Sequence, residues 1–318
     1  MNNTVFIITG PTATGKSAIA YYLAKRIGGE IVNCDSIQLY KYMDIGSAKP
    51  SEKEMSKVKH HLYSICLPDE SMSVAKYQEL ATETIDDILS RGRIPVICGG
   101  TGLYLNSILY DMDFGASPDS NKRRDELEQL ADERGSEYMH QYLEALDPEA
   151  AARIHPNNVR KVIRAIEAFE YGKGIGDINN LKLNPKYDFK FFIINMEREW
   201  LYERINKRVH KLVNDGLVTE VSSLLAKSYD MSLPSMQGIG YKETVDYLYG
   251  KCDLASAISE IQKNTRHYAK RQLTWLRRYD NANWIEIKKG DNVGEIVDHM
   301  LYYKPEHFNN GQEKLRQQ

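Results

Sequence analysis

Only four cysteines occur in 318 residues and none has C-x-x-C spacing, so neither a zinc site nor a disulfide framework is indicated. Cys34 and Cys98 fall in strand-like segments, where a free thiol packs as a small apolar group. The sequence lacks a charged-then-apolar leader, and no apolar run approaches membrane-spanning length. A reducing, soluble compartment is the expectation: the cytoplasm, with no membrane partner. Excess charge is missing too. Against 42 lysines and arginines stand 44 aspartates and glutamates, so bulk composition does not announce a nucleic-acid binder. There is no internal repeat and no long low-complexity tract. The length suits one large α/β domain with an appendage.

What is present starts at residue 10. Gly10-Pro11-Thr12-Ala13-Thr14-Gly15-Lys16-Ser17 reads G-x-x-x-x-G-K-S, a turn whose amide N–H groups can all point at one anion. Lys16 adds a point charge, the Ser17 hydroxyl can ligate Mg2+, and the next helix adds its positive N-terminal end. Residues 5–9 read as a buried strand and 18–27 as a helix with Ile19, Leu23 and Ile27 apolar. Strand, loop, helix is the order the motif requires. The loop is read as a di- or triphosphate site.

Strand character recurs at residues 31–34, 94–98, 189–194 and 284–287. A long helix before the third strand has Ser73 as its expected N-cap and carries Leu80, Ile85 and Leu89. Strands alternating with helices predict a parallel sheet, and continuous apolar runs predict that both its faces are covered. From residue 118 to about 184 the pattern is helical without a strand. Helices are expected at 121–134, 137–145 and 157–171, before turn-forming Gly172-Lys173-Gly174-Ile175-Gly176 and Asn179-Asn180. The predicted architecture is a P-loop NTPase-like parallel sheet flanked by helices, formed by residues 1–114 and 189–318. An all-helical insertion at 115–188 interrupts it. Later helices are expected at 199–214, 218–227 and 254–278, and the polar tail after Pro305 should fray.

Parallel strands joined by helical crossovers place their C-terminal ends on one edge of the sheet. The first strand ends in the phosphate loop, the second in Asp35-Ser36-Ile37-Gln38, and the third in Gly99-Gly100-Thr101-Gly102. Asp35, Gln38 and Thr101 should therefore approach Lys16 and Ser17. An Asp at a strand end is commonly a turn former. Facing a phosphate loop, it is better read as a proton acceptor or an outer partner of the metal. The glycine-rich turn serves as a tight turn capped by Thr101, a substrate contact, or both. His60-His61 are adjacent and have no third ligand at suitable spacing, so a structural role is expected. A nucleoside-triphosphate hydrolase normally carries a second apolar strand ending in Asp; here 94–98 ends in Gly99 and 189–194 in Asn195, and only 31–34 ends in Asp. Such a loop suits a pyrophosphate leaving group with chemistry at carbon.

Basic residues cluster on predicted helices. Arg160 and Arg164 are four apart with Lys161 beside them, while Val159, Ile163 and Ile166 occupy the packed side. From Lys263 to Arg278 there are six cations and no acid, with Arg266, Tyr268, Lys270 and Arg277 around a stripe of Ile258, Ile261, Leu273 and Leu276. Any single basic run is usually a solvated face; two on separate elements favour a polyanion such as RNA. Arg204 and Arg208, also four apart, either close over the phosphates or pair with acids such as Glu203.

Taken together, the chain resembles the tRNA dimethylallyltransferases, also called tRNA isopentenyltransferases. The resemblance lies in the opening loop, Asp35-Ser36-Ile37-Gln38-Leu39-Tyr40, Asp44-Ile45-Gly46-Ser47-Ala48-Lys49-Pro50 and His60-His61-Leu62. It continues through Gly99-Gly100-Thr101-Gly102-Leu103-Tyr104 and Arg160-Lys161-Val162-Ile163-Arg164-Ala165-Ile166-Glu167. Gln237-Gly238-Ile239-Gly240-Tyr241-Lys242-Glu243 and Thr265-Arg266-His267-Tyr268-Ala269-Lys270-Arg271-Gln272 complete it. Thr14 stands where many relatives have Ser, and the C-terminal zinc finger of some relatives is missing.

The resemblance implies transfer of a dimethylallyl group from its diphosphate to N6 of the adenosine 3′ to the anticodon, with Mg2+. It implies that the loop holds dimethylallyl diphosphate and that Asp35, Ser36, Ile37, Gln38 and Thr101 meet the adenine. It also places Arg124 and the segment Arg160, Lys161, Val162, Ile163 and Arg164 against tRNA. Arg266 and Lys270 are further tRNA candidates. Lys16, Asp35 and Thr101 are the expected catalytic set, Ser17 the metal ligand, and a monomer the expected state. The rivals are an ATP-dependent P-loop kinase and a non-catalytic, nucleotide-regulated RNA-binding protein.

Overall fold

The computed structural model describes residues 3–112, 120–170 and 182–302. Contacts divide the chain into one compact unit of Met1–Leu109 with Asn184–Gln318, and a second of Tyr110–Leu183. The expected turn at 172–176 and 179–180, the boundary at 114/115 and the tail after 305 lie outside the described residues.

In the first unit the order is β1 (Thr4–Thr9), α1 (Lys16–Ile27), β2 (Glu30–Asn33), α2 (Glu52–Met55), β3 (His60–His61), α3 (Val74–Ser90), β4 (Pro95–Cys98) and α4 (Gly102–Leu109). The second unit supplies α5 (Ser120–Arg134), α6 (Ser136–Leu146), α7 (Pro148–Arg153) and α8 (Val159–Glu170). The first unit resumes with β5 (Asp188–Met196), α9 (Arg198–Asn214), α10 (Leu217–Ala226), α11 (Tyr241–Leu248), α12 (Leu254–Leu276), β6 (Asn283–Ile287) and α13 (Val293–Leu301).

The strands form one six-stranded sheet in the order β3-β2-β4-β1-β5-β6, and each neighbouring pair is parallel. Alternation along β1 sends Phe6 and Ile8 to one face, where Ile19 and Leu23 of α1 and Val297 and Met300 of α13 cover them. Burying each such side chain contributes roughly 1.5–3 kcal/mol. On α3, Tyr77, Ala81, Ile85 and Ile88 are buried, and the Tyr77 ring stacks on Tyr104 of α4 at 3.8 Å. The Ser73 side chain caps α3 by accepting the Lys76 N–H. No described helix is long and apolar enough to cross a membrane.

Strand β3 was not expected, because two histidines carry no strand signal. His61 has a structural partner: its Nε2 lies 2.7 Å from Oε2 of Glu30, a buried carboxylate that Arg91 also clasps at 2.5 and 2.8 Å. Helices α2, α4, α7, α11 and α13 are likewise additions to the sequence reading.

The second unit closes on its own core of Leu127, Met139, Leu143, Ala150, Val162 and Ile166. Its root is tied by an antiparallel bridge between Tyr110 and Leu183 and by the Asp111 N–H donating to the Lys182 carbonyl at 3.0 Å.

Candidate active site

Three strand ends meet at the C-terminal edge of the sheet. The loop after β1 turns through Ala13 and Gly15, both at positive φ (67° and 91°), so that α1 starts at Lys16. No side chain caps α1 and its first turn holds no acid, which leaves its positive end to an anion. The loop braces itself through the Thr14 hydroxyl, which donates to the Pro11 carbonyl at 2.9 Å. Lys16 Nζ donates to the same carbonyl at 3.3 Å.

One expectation about this loop is corrected. Its N–H groups do not all point at one anion, because Thr12 N–H donates to the Gln272 side-chain oxygen at 2.8 Å. Arg204 Nε donates to the Ala13 carbonyl at 2.8 Å, which puts this arginine of α9 on the phosphate loop rather than on Glu203.

Two half-buried cations sit beside the loop. Desolvation by burial lowers the Lys16 amine from its ordinary value, and Cys98, Arg208 and Asp35 act on it electrostatically. Burial also lowers Arg208, an effect that Asp35 opposes and Arg204 reinforces. Lys16, Arg208 and Asp35 thus share one electrostatic neighbourhood. Burial pushes the Cys98 thiol up to about 11, so it stays protonated at neutral pH, within hydrogen-bond reach of Ser17.

Asp35 follows β2. Its Oδ1 accepts the Ile37 N–H at 3.0 Å, so the turn-forming role is present alongside any chemical one. The Thr101 hydroxyl oxygen accepts the Ser36 N–H at 3.0 Å, joining the second strand end to the third. Gln38 points its amide at the Ser47 and Ala48 carbonyls, at 2.9 and 3.3 Å. The edge therefore brings together Lys16, Ser17, Asp35, Ser36 and Thr101, with Arg204 and Arg208 arriving from α9. A cavity of about 120 Å³ opens beside Ser17, with Tyr21, Ile31 and Tyr63 but also Lys49, Glu54 and His60 among its walls.

In the first unit's α12, Lys270 is exposed and Arg266 donates to Asn206 at 2.7 Å. In the helical unit, Arg160, Lys161 and Arg164 are exposed, and Arg124 pairs with Glu167 at 2.9 Å. Val162 and Ile163 are only 0% and 3% exposed within that unit's core, so they are removed from the tRNA-contacting set. They alternate with the cations in sequence but lie on the packed face of α8.

Sequence reasoning missed Gln272, which touches the loop, and the Glu220–Tyr241 pair, which grips residues 44–46. Gln272 closes the block 265–272 that carries part of the resemblance, but a lone glutamine in a basic stretch has no periodic signal to single it out. The Gly238-Ile239-Gly240 run just before Tyr241 was a hint of close packing there.

Against known proteins, the model of the family described as IPP transferase matches residues 38–279. The chain is 46% identical over 302 residues to the tRNA dimethylallyltransferase of Acetivibrio thermocellus, covering 94% of this chain and 96% of that one. It is also 46% identical to the namesake from Alkaliphilus oremlandii, over 97% and 99% of the two chains. Among solved structures, the tRNA isopentenylpyrophosphate transferase of Bacillus halodurans superposes with a TM-score of 0.70 at 41% identity, covering 95% and 96%. A eukaryotic dimethylallyltransferase acting on tRNA gives a TM-score of 0.79 at 25% identity, over 99% of this chain and 78% of that one. The fold is the P-loop-like one of these transferases, and the chain belongs to the IPP transferase family.

Proposed function

We propose that this chain transfers the dimethylallyl group of dimethylallyl diphosphate to N6 of the adenosine 3′-adjacent to the anticodon in tRNA, releasing diphosphate. The observation that carries this reading is the meeting of a phosphate-type loop, the half-buried cations Lys16 and Arg208, and Asp35 at one edge of the sheet.

The adenine amine is a poor nucleophile because its lone pair is delocalised into the ring. Rate must come from stabilising the leaving diphosphate and from removing the amine proton as the C–N bond forms. Lys16, Arg204, Arg208 and the N-terminal end of α1 gather the charge released as the allylic C–O bond breaks. Asp35 accepts the N6 proton, and Thr101 orients the amine. Mg2+ usually keeps several waters and takes one or two protein oxygens beside substrate phosphates. The donor set fits this: Ser17 offers a hydroxyl at the loop, and the neutral Cys98 thiol does not compete. When bound, the ion neutralises diphosphate charge.

The target base stacks within a loop of RNA and must be flipped to reach Asp35. Arg124, Arg160, Lys161 and Arg164 of the helical unit, with Arg266 and Lys270 of α12, serve as contacts to the anticodon stem-loop. The protein acts as a cytoplasmic monomer.

The test is incubation with radiolabelled dimethylallyl diphosphate and unmodified tRNA. Label should enter RNA at the adenosine next to the anticodon. RNA that stays unlabelled, with phosphate passing from γ-labelled ATP to a small acceptor, would establish the kinase instead.

A further inference from the structure

Helix α12 runs past two of the three strand ends, and one buried side chain on it reaches both. Gln272 is 7% exposed. Its Oε1 accepts Thr12 N–H of the phosphate loop at 2.8 Å, and its Nε2 donates to the Gly100 carbonyl at 3.1 Å, in the turn that carries Thr101. Tyr268 lies one turn earlier on α12; its hydroxyl is raised by burial and sits within the field of Asp35. Two further contacts hold this stretch of helix in place. Trp275 donates its indole N–H to the Tyr279 hydroxyl at 2.9 Å, and that hydroxyl meets Asn106 of α4 at 2.5 Å.

Gly100 is shaped for this arrangement. A Cβ built there would lie 2.3 Å from the Gln272 Nε2, so any larger residue would expel the amide. The amide also takes one loop N–H out of the anion-binding set, which a residue serving phosphate affinity alone would not do. A side chain with one bond to the leaving-group loop and one to the acceptor turn sets the distance between the two reactants. That distance matters only when both are bound, and an error of about 1 Å costs on the order of a hundredfold in rate.

We propose that Gln272 is a positioning residue for the transfer, a strut that fixes the phosphate loop against the Thr101 turn through Thr12 N–H and the Gly100 carbonyl. The proposal rests on the transferase reading above. It predicts a defect in turnover and not in either affinity.

The experiment compares wild type with Gln272→Leu, which removes both bonds at similar volume, and Gln272→Glu, which keeps only the acceptor for Thr12. Steady-state transfer from labelled dimethylallyl diphosphate to tRNA gives kcat and the KM for RNA; inhibition by inorganic pyrophosphate reports the loop. For Gln272→Leu, kcat should fall between about tenfold and a hundredfold, with the KM for RNA and the pyrophosphate inhibition constant within about twofold. An unchanged kcat, or a loss confined to affinity, overturns the proposal. Should Gln272→Leu lose its cooperative melting transition, Gln272→Glu decides in the same way. Wild type run in parallel separates the two ideas: without transfer by wild type the function itself is wrong, whereas normal transfer by every variant refutes only the strut.

Discussion

Lys16 follows β1 and Asp35 follows β2, with β4 between the two strands, and the Asp35 carboxylate favours the charged form of the Lys16 amine. Asp35 has a second engagement, because its Oδ1 accepts the Ile37 N–H at 3.0 Å. Substitutions can separate the two roles. Asp35→Asn retains an oxygen for the turn and loses the proton acceptor. Its kcat should fall by about 10²–10⁴-fold while tRNA affinity, measured by filter binding, stays near wild type. If Asp35→Asn turns over normally and Asp35→Ala does not, the residue is a turn former and the base lies elsewhere.

The environment of Lys16 also sets a pH dependence. Burial lowers its pKa below the ordinary 10.5, so in the free protein the ammonium loses its proton at a lower pH than a solvated lysine would. A diphosphate binds the charged form. Inhibition by inorganic pyrophosphate should therefore weaken on the alkaline side before the ordinary lysine range is reached. In Lys16→Met the inhibition should be weak throughout, with this alkaline limb gone. A limb that persists unchanged in Lys16→Met belongs to another group.

The edge of the sheet was legible in the sequence because strand and loop signals are local. Apolar runs locate β1, β2 and β4, and the parallel arrangement then brings their ends together without any side-chain information. Contacts that span long stretches of chain were not legible. Gln272 lies 260 positions from Thr12, and Glu220 lies 176 from Asp44. Neither pairing leaves a mark on its own helix. On α8 the limit was of another kind: a stretch that alternates cations and apolar residues matched as one block, whereas helical geometry divides it into an exposed face with Arg160 and Arg164 and a buried face with Val162 and Ile163.

That division yields a test of the helical unit. Arg160→Ala with Arg164→Ala removes two exposed cations and leaves the unit's core intact. If both reach RNA phosphates, tRNA binding should weaken and the slope of log affinity against log salt should flatten by about one to two. Affinity for dimethylallyl diphosphate should not move. A double variant with unchanged RNA binding would remove α8 from the interface.

Stability has its own acid-sensitive joint at the start of β2. Glu30 is buried and accepts two bonds from Arg91, with His61 Nε2 at 2.7 Å. The Arg91 bonds, opposed by burial and aided by His61, hold its pKa down at about 2, against an ordinary 4.5. A carboxylate lowered in the fold contributes its full stabilisation above the unfolded value. That contribution fades as pH drops from about 4.5 and is gone once it passes about 2. Glu30→Ala should cost roughly 2–3 kcal/mol at neutral pH, less than a fully buried pair because Arg91 is partly solvated. Denaturant melts across the acid range should show the gap between wild type and variant closing as pH falls; a constant gap would mean that packing, not charge, is what the variant loses.

Glu220 of α10 receives three consecutive amides. Its carboxylate accepts the N–H groups of Asp44, Ile45 and Gly46 at 2.8, 2.6 and 2.9 Å, and the Tyr241 hydroxyl at 2.9 Å. Gly46 is required at the end of this run, since a Cβ there would sit 2.5 Å from the Tyr241 ring. The segment so held runs on to Ser47 and Ala48, whose carbonyls take the Gln38 amide from the strand end that carries Asp35. Amide hydrogen exchange should therefore register the clip directly. In Glu220→Ala the amides of residues 44–46 should lose protection by about 1.5–3 kcal/mol, the range for hydrogen bonds to a charged group. Amides of β1 and β4 should exchange as before, since those strands do not depend on α10 for their hydrogen bonds. Tyr241→Phe removes one of the four bonds and should produce a smaller loss at the same positions. Equal protection in wild type and Glu220→Ala would show that the segment is held by the Gln38 amide and the Lys49 bonds to Asp44 and Ser64, with Glu220 a bystander.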